Sequence, residues 1–92
     1  MNQTQAALTL IEAKRNHQRE SGYDDEHDDE HDCNELICAA IAEAMTPVAV
    51  ESAADWWPFE DSIVKPATPT EHLVRAAAFL VAELERRLRL RK

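Results

Sequence analysis

Apolar side chains recur at three- and four-residue intervals in three stretches of the chain, with polar residues dominating between them. That period marks an α-helix with one buried stripe. The first stretch predicts a helix over about 5–21, in which Ala7, Leu8, Ile11 and the stems of Arg15 and Gln18 share a side and Gly22 supplies the stop. The second predicts a helix over about 33–45. Asp32 is its expected N-cap, Glu35 completes a capping-box pattern, and Leu36, Ile37, Ala40, Ile41, Ala44 and Met45 form a broad apolar face before Thr46-Pro47. The third, about 69–90, carries the strongest signal. Thr68 caps, Pro69 takes the first helical position and Glu71 the third, and Leu73, Ala77, Leu80, Leu84 and Leu88 follow. No segment reads as a strand. The pattern predicts a single all-α domain of three helices over residues 1–92.

Two stretches fall outside these helices. Residues 23–32 form an acidic segment, and residues 46–68 form a connection of unusual length for a compact domain. That connection holds Trp56-Trp57-Pro58-Phe59, so it is expected to pack as a structured loop. Three helices of these lengths make a thin core, and the third has apolar residues around more of its circumference than two neighbours cover. Burial of that surplus in a homodimer or higher homo-oligomer is expected.

Composition narrows the function classes. The 92 residues carry 18 acidic and 10 basic side chains, a formal charge of -8. That balance argues against general nucleic-acid binding, which needs a basic face for the phosphates. The charge is polarised: residues 1–22 carry +1, residues 23–45 carry -9, residues 46–66 carry -3 and residues 67–92 carry +3. No apolar run reaches the roughly 18–20 residues of a membrane span, and the first residues lack the basic region and cleavage site of a secretory signal. Two cysteines, Cys33 and Cys38, stand five residues apart. On a helix their side chains diverge, which disfavours a disulfide and fits a reducing cytoplasm.

The chemistry concentrates in Asp24-Asp25-Glu26-His27-Asp28-Asp29-Glu30-His31-Asp32, where a DDEH unit repeats with a period near one helical turn. Were this segment helical, Asp24, His27, Asp28, His31 and Glu35 would share one face. Two imidazoles one turn apart can clasp Zn²⁺, whereas Mg²⁺ or Mn²⁺ would take mainly the carboxylates. A divalent ion would also relieve the repulsion among seven carboxylates in nine residues. The competing reading is an acidic loop paired with the arginine-rich end of the third helix, and on spacing alone it stands slightly ahead. A third reading is a carboxylate surface that occupies a partner's phosphate-binding groove. Elsewhere, Arg15 can fork onto a phosphate, Gln18 shares its side of the first helix, and Trp57 can stack on a base. Glu83 on the third helix can join a carboxylate cluster, with an exposed arginine pair as its default. His72 reads as a polar surface residue. A single glycine excludes a phosphate-cradling glycine loop, and HExxH, CxxC and GxSxG patterns are absent.

Several pieces form a longer composite: Arg15…Gln18…Glu20…Gly22-Tyr23, His27-Asp28-Asp29-Glu30-His31, Glu35-Leu36…Ala39-Ala40, Trp57-Pro58-Phe59, Lys65-Pro66, and Leu73-Val74…Ala76-Ala77…Ala82-Glu83-Leu84-Glu85-Arg86. This order resembles a group of small phage and prophage proteins. More distantly, the carboxylate-rich helical layout is similar to the MazG-like all-α nucleotide pyrophosphohydrolases, which hold Mg²⁺ on acidic side chains from paired helices. The resemblance implies a protein directed at nucleotides in the cytoplasm of a bacterial host. On the metal-dependent hydrolase reading, Asp28, Asp29, Glu30 and Glu35 form the catalytic set, and His27, His31, Asp28 and Glu83 ligate the metal. Arg15, Gln18 and Trp57 then bind substrate, and the metal activates water. The alternative from another class is a non-catalytic acidic accessory protein that blocks a host nucleic-acid-handling complex.

Overall fold

A computed structural model describes residues 2–32 and 34–90, and all the regular structure among them is helical. Five helices are present where the sequence pattern predicts three. Helix α1 spans Gln3–Glu20, α2 Asp25–Asp29, α3 Glu35–Met45, α4 Val50–Ala54 and α5 Pro69–Leu90. The added helices are each five residues long. They are too short to show a 3.6-residue period, so α2 is hidden in the acidic segment and α4 in the long connection.

Helix ends follow local chemistry. Helix α1 begins two residues earlier than expected because Asn2 and Gln5 form a reciprocal capping box, at 2.8 Å from the Gln5 N–H to Asn2 Oδ1 and 3.1 Å from the Asn2 N–H to Gln5 Oε1. It stops at Gly22, whose φ of +107° suits a residue without a Cβ. Asp24 caps α2 by accepting the His27 N–H at 2.9 Å. The predicted cap for the next helix is displaced: α3 starts behind Asn34, which sits in the left-handed region at φ +67° and makes no side-chain cap bond. Thr68 caps α5 as expected, its hydroxyl accepting the Glu71 N–H at 3.1 Å. Cys33, on which the proposed helix start and the disulfide argument both bear, lies outside the described residues; Cys38 is half-buried with a free thiol.

Helix α5 is the central element, packing along α3 and α1 and touching α2, while α4 lies on α3. Alanines are buried on both helices: Ala39, Ala40 and Ala42 on α3, and Ala76, Ala78 and Ala82 on α5, with Ala39, Ala40 and Ala82 in the core cluster. Small side chains let two helices approach closely, and Leu36 and Phe79 fill the remaining space. Tyr23, Trp57 and Phe59 close over this core. The molecule is only 20 Å deep, about two helix diameters.

The close seam turns α5 in an unexpected direction. The leucines that announced the helix, Leu73, Leu80, Leu84 and Leu88, are 65, 51, 58 and 55% exposed. At 100° per residue they occupy an arc of about 80°. The opposite side buries His72, Ala76, Phe79, Ala82, Glu83 and Arg86. The apolar stripe therefore faces outward and a partly charged face lies inward.

Candidate functional site

The acidic segment divides into two environments. Asp28 is fully buried and meets Arg15, itself 2% exposed. The Arg15 guanidinium is used in three directions: Nη2 donates to Asp28 Oδ2 at 2.7 Å, Nε to Glu85 Oε1 at 2.7 Å, and Nη1 to the Tyr23 carbonyl at 2.8 Å. Arg19 adds a second hydrogen bond to Glu85. Burial alone pushes the Glu85 carboxyl up, but the hydrogen bond and charge of Arg15, joined by Arg19, outweigh it and hold the group below its ordinary value. On the rim, Arg89 reaches Asp29 at 2.7 Å and Asp25 at 3.2 Å, and its own pKa rises. This is the pairing between acidic segment and arginine-rich helix end that the sequence left as a competing reading.

The histidines sit on the other side of α2. Their ring centroids are 4.4 Å apart. His27 Nδ1 lies 3.1 Å from Asp28 Oδ1, and His31 Nδ1 lies 2.8 Å from Glu35 Oε2. An ionised carboxylate can only accept, so each Nδ1 is the donor in these contacts. His27, His31 and Glu35 gather beside Tyr23 and Phe59, although the chain leaves the helix after Asp29 and re-enters it at Glu35, so the turn between α2 and α3 and not one continuous helical face brings them together.

Of the carboxylates expected at a divalent ion, only Glu35 and one oxygen of Asp28 reach the histidines. Asp28 serves Arg15, Asp29 serves Arg89, and Glu83 is chelated within α5 by Arg86 at 3.0 and 3.1 Å and by Arg87 at 2.6 Å. Those hydrogen bonds hold the Glu83 carboxyl below its ordinary value against the opposing effect of burial. Glu30 is exposed at the end of α2. Among the described residues, no group of three His, Cys, Asp or Glu side chains is placed to hold a metal. The residues present therefore do not fit the carboxylate-held Mg²⁺ that a MazG-like centre implies.

A cavity of about 240 Å³ opens on the far side of Tyr23. Tyr23, Trp57 and Phe79 wall it, with Trp57 and Phe79 edge-to-face at a centroid distance of 6.0 Å. The Trp57 indole N–H donates to the Ser62 hydroxyl at 3.1 Å, and Arg75 Nη1 donates to the Lys65 carbonyl at 2.9 Å. Together they fold the connection back over α5. Basic groups rim the opening: Lys14, His17, Lys65 and Arg75. Inside stand Gln18, 6% exposed, and Glu43, 3% exposed. Gln18 Oε1 is buried with no hydrogen-bond partner. An orphaned buried acceptor is costly unless something donates to it.

Of the three residues expected to bind substrate, Gln18 and Trp57 line this cavity, whereas Arg15 is consumed by structure. Sequence reasoning missed Glu43 and His72. His72, expected at the surface, is 3% exposed, and its Nδ1 lies 2.7 Å from Glu43 Oε1 with Arg75 Nη1 at 3.8 Å from the same oxygen. Two polar residues on the buried faces of amphipathic helices were the only available signal. Burial, then the charges of Glu43 and Asp28, raise the Tyr23 phenol above its ordinary value. Comparison of the chain with protein-family models, curated proteins and solved structures gives no match.

Proposed function

We propose that the protein binds a nucleotide, with the base in the aromatic cavity and the phosphates on its basic rim. The observation that carries this reading is a cavity walled by Tyr23, Trp57 and Phe79 beneath Lys14, His17, Lys65 and Arg75. An apolar slot with few placed polar groups is the usual form of a small-molecule site. At about 240 Å³ the cavity falls below the roughly 300–1,000 Å³ of pockets for drug-sized ligands, so it suits a base and leaves phosphates at the mouth. The basic rim supplies a local positive field on a molecule of charge -8. Binding, rather than hydrolysis, is the activity proposed, in the phage-type cytoplasmic setting that the sequence resemblance implies.

The acidic accessory reading has less support. Asp25, Asp28 and Asp29 are paired with arginines of the same chain, which weakens the segment as a surface for a basic partner. We also propose that a second copy covers the outward leucine stripe of α5. From Leu73 to Leu88 the stripe is about 22 Å long and matches itself when two copies pair antiparallel about a twofold axis.

Titration with nucleoside triphosphates tests the binding reading. In a Trp56→Phe background Trp57 is the single tryptophan, and its fluorescence is expected to change saturably. A further Trp57→Ala change should reduce affinity at least tenfold by calorimetry, since base–aromatic stacking contributes about 1–3 kcal/mol. Flat titrations at millimolar concentration for every nucleotide would defeat the proposal.

A further inference from the structure

We infer that the groove beside the histidine pair receives an arginine-bearing segment of a partner protein. The groove is open to solvent, holds about 660 Å³ and shares Tyr23 with the aromatic cavity. Its floor is aromatic. Tyr23, His27, His31 and Phe59 form a closed circuit of ring contacts: centroids are 4.9 Å apart from Tyr23 to His27 and 4.4 Å from His27 to His31. The circuit continues at 5.3 Å from His31 to Phe59 and closes at 5.5 Å from Phe59 to Tyr23. All four rings are half-buried and line the groove, so part of their surface is left to an occupant. The border is acidic: Glu35, Glu60 and Asp61 line it, and no lysine or arginine does.

These carboxylates differ from those of the acidic segment. Asp25, Asp28 and Asp29 are taken by arginines of the same chain. Glu60 and Asp61 are exposed, and among the described residues no hydrogen bond or ion pair engages either carboxylate. A cation at this place is attracted twice, by the carboxylates and by the ring quadrupoles. The kind of cation follows from the layout. A metal ion needs converging ligands, and the described residues supply no group of three. A guanidinium needs no such convergence: it stacks flat on rings and donates five N–H groups to acceptors spread around it. The groove volume falls within the roughly 300–1,000 Å³ of ligand pockets, and its open side lets a chain run on in both directions. A net charge of -8 steers a basic segment toward it.

Amide-shift titration of the ¹⁵N-labelled intact protein tests the inference. The probes are the peptide acetyl-Gly-Arg-Gly-Arg-Gly-amide, its lysine and citrulline counterparts, and spermidine. The arginine peptide should give saturable shifts centred on residues 21–31 and 58–61, and its affinity should fall at least about threefold as salt rises from about 0.01 to 0.15 M. The lysine peptide should bind about threefold more weakly, because an ammonium neither stacks nor forks. The uncharged citrulline peptide should not bind. The double variant Glu60→Lys/Asp61→Lys changes two exposed side chains without partners, so it should keep the fold and lose at least about tenfold in affinity. Absence of shifts at millimolar peptide, equal binding of the citrulline peptide, or unchanged affinity in the double variant overturns the inference. Spermidine binding as tightly as the arginine peptide overturns the assignment to a protein segment and makes the groove a polyamine site.

Discussion

Replacing Arg15 with Met isolates the interaction on which the acidic segment depends. The substitution keeps an unbranched stem of similar length on α1 and removes the guanidinium. Asp28, with no exposed surface, then loses its 2.7 Å partner, and the Tyr23 carbonyl and Glu85 each lose a donor. Glu85 retains Arg19, so most of the cost falls on the stranded Asp28 carboxylate. Removing one member of a buried ion pair costs about 3–5 kcal/mol, a large share of the roughly 5–15 kcal/mol that stabilises a small domain. For a domain of this size that loss lowers Tm by roughly 12–40 °C, taking about 4–8 °C per kcal/mol. Thermal and urea unfolding followed by circular dichroism at pH 7 measure the change. The double variant Arg15→Met/Asp28→Leu should recover most of the loss, because it removes the uncompensated charge with the cation. A single variant within 1 kcal/mol of the parent, or a double variant no better than the single, would refute the assignment of this pair as the structural anchor of α2.

Two further outcomes follow from the surface and the charges. Leu84→Lys in the middle of the α5 stripe should convert the protein to a monomer in light scattering without loss of helicity, and a parent that is itself monomeric at high micromolar concentration sinks the paired arrangement. Glu83 and Glu85 have folded-state pKa values below their ordinary ones, so their stabilisation is complete above about pH 4.3 and is lost as pH falls through the depressed values. Tyr23 has the opposite sign: its raised pKa contributes stability below about pH 10 that is lost at higher pH. Urea midpoints between pH 3 and 11 should therefore fall at both ends, and Glu83→Gln should flatten the acid limb.

The helices that fold by local rules were legible in the sequence. The third predicted helix matches Pro69–Leu90, with Thr68 at its cap, because capping and proline placement are decided within one turn. Apart from the pairing of the acidic segment with the arginine-rich end of α5, what was not legible depended on knowing the neighbour. The leucines at 73, 80, 84 and 88 look like a core stripe, yet the alanines on α3 and α5 made the tighter contact and turned the leucines outward. Asp28 and Asp29 carry the same charge whether they meet a metal or an arginine, and the choice depends on Arg15, 13 residues before Asp28, and Arg89, 60 residues after Asp29. His72 was misplaced for the same reason: its partner, Glu43, is 29 residues earlier.

These pairings also connect the acidic segment to the cavity. Tyr23 stands between the histidine pair and the aromatic slot, with its backbone held at both ends. Its N–H donates to the Gln18 carbonyl at 2.8 Å, and its own carbonyl accepts from Arg15. Arg15 is in turn fixed by Asp28, whose other oxygen lies against His27. The Tyr23 ring packs at 4.9 Å from His27, 5.5 Å from Phe59 and 5.3 Å from Phe79. A wall fixed in this way lowers the ordering cost of filling the cavity, which is how preorganisation raises affinity. The buried carboxylate of the DDEH repeat thus fixes one wall of the cavity through Arg15 and Tyr23. That indirect role places dense charge beside a cavity whose own polar lining comes from α1, α3, α5 and the connection that carries Ser62 and Lys65.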